Sequence, residues 1–219
     1  IKELVFVDYL TKSYNVIKET EVIGIFAFKF SFLKVIDFEA NSNIKIIDSY
    51  AFENLQIEEI SLPDSLEIIG NWAFNHCHYL KRVIINKSSK LECIGKYAFC
   101  GTLIESIVFP STLSKVDQFA FYECFTLKTV DNHSNEIRFK TSCFELSSIE
   151  NIKFPPKATF SKCSFKKCKK LKQLNFLEEP KHVIFGECSF AFSGLEIISI
   201  DYDSIIKNNA FMYCDKLNY

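Results

Sequence analysis

The stretch Leu66-Glu67-Ile68-Ile69-Gly70-Asn71-Trp72-Ala73-Phe74-Asn75-His76-Cys77-His78-Tyr79-Leu80 decides the fold, because it returns at Leu113-Ser114-Lys115-Val116-Asp117-Gln118-Phe119-Ala120-Phe121-Tyr122-Glu123-Cys124-Phe125-Thr126-Leu127 with its apolar residues at the same offsets. Working outward, a Phe preceded by a small residue recurs at Phe28, Phe52, Phe74, Phe99, Phe121, Phe144, Phe165, Phe190 and Phe211. The small residue is Ala at six of these places and Cys143, Ser164 or Ser189 at the others. Successive Phe lie 21 to 25 residues apart, about 23 on average. Such a period marks a stacked-repeat architecture.

Other positions keep the same register. Five residues before each Phe stands Ile23, Ile47, Ile69, Ile94, Val116, Phe139, Phe160, Phe185 or Ile206, all apolar. Four before it come Gly24, Gly70, Gly95 and Gly186, or Asp48 and Asp117, residues suited to a tight bend with an unusual φ. After the Phe follows a second block, exemplified by Ile57, Ile60 and Leu62, whose last two members alternate as in a half-buried strand. Longer repeats carry Cys three residues after the Phe (Cys77, Cys124, Cys168, Cys214), the Pro after the strand (Pro63, Pro110, Pro155) occurs only in shorter ones, and the two kinds alternate except for one extra short repeat at the start. Ile1, Leu4 and Phe6 match the strand block, and Leu217-Asn218-Tyr219 opens another. Residues 1–219 therefore read as a single array of about nine repeats, expected to be a fragment of a longer chain because neither end shows a polar cap.

One repeat is too short to bury its own apolar face, so stacking must supply the core. Strands stack in parallel about 4.8 Å apart, and the small-Phe dipeptide is expected to open a short helix or 3₁₀ turn on the opposite side, with the Phe rings as an internal spine. The quoted stretches resemble the BspA-like (Treponema-pallidum-type) leucine-rich repeat over essentially the whole chain. That resemblance implies an α/β leucine-rich-repeat solenoid, with parallel strands on one face and short helical or 3₁₀ turns on the other. It also implies surface proteins of bacteria and parasitic protists that bind host proteins or other cells.

Composition narrows function. The 219 residues are 48% hydrophobic and 24% charged with net charge −1, a globular balance that argues against nucleic acid or an anionic membrane as the main partner. No run approaches the roughly 18 uncharged apolar residues of a membrane-spanning helix, and no secretory leader pattern opens the chain. The nine Cys form no zinc-type pattern. Cys77, Cys124, Cys168 and Cys214 are two stacking steps apart, about 10 Å, beyond the disulfide reach of about 7 Å between Cα atoms, and read as small buried apolar residues. Cys163 and Cys188 share one place in adjacent repeats, where pairing is geometrically open, and the odd total leaves at least one thiol unpaired. His76, Cys77 and His78 look ligand-like, but the repeat points Cys77 inward. There is no G-x-S-x-G, P-loop or G-x-G-x-x-G, so no enzyme, metal or cofactor is expected.

The candidate site is the outward strand face, expected to be concave. One file runs through Glu59, Arg82, Ser106, Thr129, Asn151 and Gln173, and a second includes Asp131 and Lys153. These positions vary while the buried ones recur, as on a surface that reads a partner. An aromatic file, Phe26, Tyr50, Trp72, Tyr97 and Phe119, reads as lateral packing or a flat contact surface. Six Lys within residues 162–172 read as a solvated turn face or an anionic-partner site, and Asn86 and Asn132 begin glycosylation sequons. The reading is a non-enzymatic protein-binding repeat scaffold at the cell surface or outside the cell, with adhesion as its role and no membrane insertion in this segment. The alternative is an intracellular (cytoplasmic or cytoskeletal) structural scaffold within a large assembly or along a filament.

Overall fold

A computed structural model describes all residues except Ile1, Tyr9, Phe30 and Tyr219. Most coils of the chain contribute two short strands, and like strands pair in parallel from coil to coil save at one step. The nine five-before-Phe positions, with Glu3–Leu4 added at one end, build one sheet of ten strands among the described residues: β1 (Glu3–Leu4), β3 (Val22–Ile23), β5 (Ile46–Ile47), β7 (Ile68–Ile69), β9 (Cys93–Ile94), β11 (Lys115–Val116), β13 (Glu136–Phe139), β15 (Lys157–Phe160), β17 (Ile184–Phe185) and β18 (Ile205–Ile206). The block after the Phe builds a second sheet from β6 (Glu59–Ser61), β8 (Arg82–Ile84), β10 (Ser106–Phe109), β12 (Thr129–Asn132), β14 (Asn151–Phe154) and β16 (Asn175–Phe176). Its earlier counterparts, β2 (Ser13–Val16) and β4 (Val35–Phe38), pair only with each other. β4 lies beside β6, yet no backbone pairing joins them, which leaves a seam.

The core fills the space between sheets and turns. Phe28, Phe52, Phe74, Phe99, Phe121, Phe144, Phe165, Phe190 and Phe211 stack consecutively with centroid separations of 4.9–5.8 Å. Burial of one such ring is worth about 1.5–3 kcal/mol. A shorter file stacks Phe139, Phe160 and Phe185 at 5.4 and 5.3 Å, with Phe154 edge-on to Phe139 and Phe160.

The expected helical or 3₁₀ turns are not there: no helix forms among the described residues, so the solenoid is all-β rather than α/β. The reason is backbone handedness. Residues two before and two after the spine Phe adopt positive φ, as at Trp72 (55°) and His76 (55°), Tyr97 (56°) and Gly101 (68°), and Phe119 (58°) and Glu123 (57°). Ala73 N–H donates to Gly70 O at 3.4 Å and Cys77 N–H to Phe74 O at 3.2 Å, closing turns whose third residue is left-handed, the signature of type II. A right-handed helix cannot propagate through such residues. The intervening N–H groups are spent on the next coil: Trp72 on Lys96 O (2.7 Å), Phe74 on Ala98 O (2.8 Å) and His76 on Cys100 O (2.9 Å).

Two smaller expectations also change. The unusual φ does not fall on Gly70 or Gly95, whose need for Gly comes from crowding: a Cβ on Gly95 would lie 2.6 Å from the Gly70 carbonyl carbon. Leu4 does not belong to the strand block. It pairs with Ile23 in the ten-stranded sheet, Phe6 is exposed, and the strand block of that coil is Ser13–Val16. Ile1 and Tyr219, also placed in strand blocks by the sequence, lie outside the described residues.

Candidate binding face

The six-stranded sheet positions the candidate residues by alternation. In β12, Val130 and Asn132 point inward while Thr129 and Asp131 face out, and β14 repeats this with Ile152 and Phe154 inside and Asn151 and Lys153 outside. Parallel pairing aligns Glu59 with Arg82, Arg82 with Ser106, Ser106 with Thr129, and Thr129 with Asn151. The second file aligns Ser61 with Ile84, Val108 with Asp131, and Lys153 with Asn175. Gln173 extends the first file through a bridge to Ile197. All eight candidate residues are exposed.

Charge on this face is arranged in pairs. Arg82 Nε bonds Glu59 Oε2. Asp131 receives His133 Nε2 at 3.0 Å and Lys87 Nζ at 3.4 Å. The close approach of His133, and after it the nearby Lys87 ammonium, hold the Asp131 carboxyl below its ordinary range, against the opposing effect of burial. Two hollows open on the face. One of about 610 Å³ sits over the seam between Val35 and Asp37 on one side and Glu59, Ser61 and Arg82 on the other. The other, about 420 Å³, is lined by Thr129, Asp131, His133, Asn151, Lys153 and Leu177. Sequence reasoning missed Lys87 and His133, because both lie in loops outside the recurring positions.

Elsewhere the structure sorts the remaining candidates. Asn86 is exposed, its Nδ2 donating to Asp64 Oδ1 at 2.7 Å, whereas Asn132 is buried with its Nδ2 donating to Lys153 O at 2.9 Å. Phe26, Tyr50, Trp72, Tyr97 and Phe119 stack ring on ring at 4.7–5.4 Å, which is lateral packing. Lys162, Lys166 and Lys172 pair with Glu187, Glu145 and Glu196, and Lys167, Lys169 and Lys170 are exposed. Cys77 points inward, its Sγ donating to Phe52 O at 3.0 Å, while His76 and His78 lie outside. Among the described residues no three His, Cys, Asp or Glu side chains gather as a metal site, and no helix is long and apolar enough to cross a membrane.

Coils of about 23 residues, parallel ladders and a continuous apolar spine define a leucine-rich-repeat solenoid. The chain belongs to the family of the BspA type leucine rich repeat region, whose model matches residues 1–104 and 92–218 in six copies. No curated protein matches it. Among solved structures, the pneumococcal vaccine antigen PcpA is similar at 22% identity and TM-score 0.56, over 93% of this chain and 57% of that one. A leucine-rich repeat protein from Bacteroides ovatus is similar at 20% identity and TM-score 0.58, over 94% of this chain and 65% of that one. The chain thus spans less than two thirds of the length of either.

Proposed function

We propose that the chain is a non-enzymatic scaffold that binds a protein partner through the outward face of the six-stranded sheet, in a cell-surface or extracellular setting. One observation carries this reading: a rigid in-register ladder holds chemically varied, exposed side chains from Glu59 to Asn151, while the inward files repeat. Many modest contacts on such a preformed surface add up to affinity without ordering cost. Family membership supports the interaction role, and the solved relative PcpA, a vaccine antigen, supports the exposed setting. The test is cross-linking of the native protein on intact cells, followed by mass spectrometry. A double variant Arg82→Glu, Lys153→Glu is expected to lose at least about tenfold of the captured partner, at 1.4 kcal/mol per factor of ten. Lys207→Glu, on the ten-stranded side, is the control. Equal capture by both variants overturns the assignment of the face.

A second reading, an intracellular structural scaffold, is favoured by nine free cysteines, which suit a reducing compartment. Labelling of intact cells with a membrane-impermeant amine reagent separates the two. The surface reading expects a labelled protein, and the intracellular reading expects labelling only after lysis.

A further inference from the structure

We infer that Cys163 and Cys188 form a thiol-modification site: a dithiol that exchanges with small-molecule disulfides and closes as a staple between two coils. Both residues stand two before a spine Phe, in consecutive coils, with matching left-handed backbones (φ 57° and 53°). Two ladder bonds bracket them. Cys163 N–H donates to Glu187 O at 3.0 Å, and Phe165 N–H donates to Ser189 O at 2.7 Å, so Cys188 lies directly across from Cys163. The same step stacks Phe165 on Phe190 at 5.2 Å, and the Lys162–Glu187 ion pair spans it at 3.1 Å. Adjacent parallel chains at about 4.8 Å put the Cα atoms inside the range of about 4.4–6.8 Å that a disulfide needs. In the earlier coils this file holds stacked rings, from Phe26 to Phe119; here two thiols replace them.

No other two cysteines share a file in consecutive coils. Cys143 and Cys168 also lie in the core, but both are fully buried, out of reach of an oxidant. Cys188 is half-buried and Cys163 is 9% exposed, so the outer thiol reacts first. Cys188 gives its proton to solvent, and the thiolate attacks one sulfur of the small disulfide. A mixed disulfide forms and one small thiolate leaves. Cys163 then loses its proton, attacks the Cys188 sulfur and expels the second small thiolate. Two protein thiols are oxidised by one electron each, and the small disulfide is reduced to two thiols.

The experiment treats the whole protein with oxidised glutathione, alkylates remaining thiols, digests without reductant and maps the peptides. The expected result is one linked pair, Cys163 with Cys188, loss of two alkylatable thiols, and reversal by dithiothreitol. In Cys163→Ser the glutathione adduct is expected to persist on Cys188, since the resolving thiol is gone. Three results overturn the site: both thiols still alkylatable in the wild type, a persistent adduct on wild-type Cys188, or a linkage through any other cysteine.

Discussion

Cys124 Sγ donates to the carbonyl oxygen of Phe99, 3.1 Å away in the preceding coil. Cys77, Cys168 and Cys214 repeat this bond to Phe52, Phe144 and Phe190 at 3.0–3.2 Å. In the intervening coils Thr102, Ser147 and Ser193 hold the equivalent place and touch the next Cys Sγ at 3.3–3.5 Å. From Cys77 to Cys214 the file is therefore a buried polar seam of thiols and hydroxyls, satisfied from within the stack.

That seam makes the fold sensitive to alkali. Burial pushes the Cys77, Cys124 and Cys168 thiols from an ordinary 9.0 up to about 12. Between these values the unfolded chain has released the protons and the folded chain still holds them. The unfolded state binds fewer protons there, so stability is intact below about pH 9 and falls as pH rises, by up to about 1.4 kcal/mol per pH unit for each thiol. Urea midpoints from about pH 8 to about pH 11 should fall less steeply for Cys124→Ala than for the wild type. Parallel slopes would contradict the buried-thiol account.

Removing a spine ring is expected to be costly. Phe121 is fully buried between Phe99 (5.3 Å) and Phe144 (4.9 Å), so Phe121→Ala should lower stability by about 3–5 kcal/mol in urea melts. A loss under about 1 kcal/mol would mean that the spine does not support the stack.

The opposite sign is expected at Ser164. Ser164 and Ser189 stand in the Ala file of successive coils, both 0% exposed, and neither Oγ has a hydrogen-bond partner. Burying an unsatisfied hydroxyl costs about 1–3 kcal/mol. Ser164→Ala should raise stability by about 1 kcal/mol, read as a higher denaturation midpoint with an unchanged denaturant slope. A lower midpoint would show that the hydroxyl is engaged in solution.

Handedness of the turns can be tested at Gly101. Its φ of 68° is left-handed, and an added Cβ would lie 3.1 Å from His76 Nδ1. Gly101→Val should destabilise by about 1–2 kcal/mol from backbone strain alone. Chemical denaturation reads this directly, and an unchanged midpoint would mean that the turn relaxes to another form.

The files were legible in the sequence because burial repeats chemistry: Phe52, Phe74 and Phe99 had to touch in order, and they do. Thr129 and Asn151 fell into register for the same reason. The sign of φ was not legible. Trp72 and Tyr97 are bulky residues with no preference for the left-handed region, and the ladder to the next coil imposes it on them. The ten-stranded sheet was equally hidden, since most of its strands are two residues long and carry no alternation to read. The phase of Leu4 was ambiguous because Leu4, Val5, Phe6 and Val7 satisfy either block. Lys87 meets Asp131 from a loop that no spacing rule covers.

The missing pairing between β4 and β6 has a mechanical consequence. On either side of that gap the coils stay joined through β3, β5 and the turns, where Phe28 N–H donates to Ala51 O at 3.1 Å. A pile fastened along two edges and loose along the third behaves as a compliant joint. Bending is therefore expected to concentrate at that joint, beneath the 610 Å³ hollow.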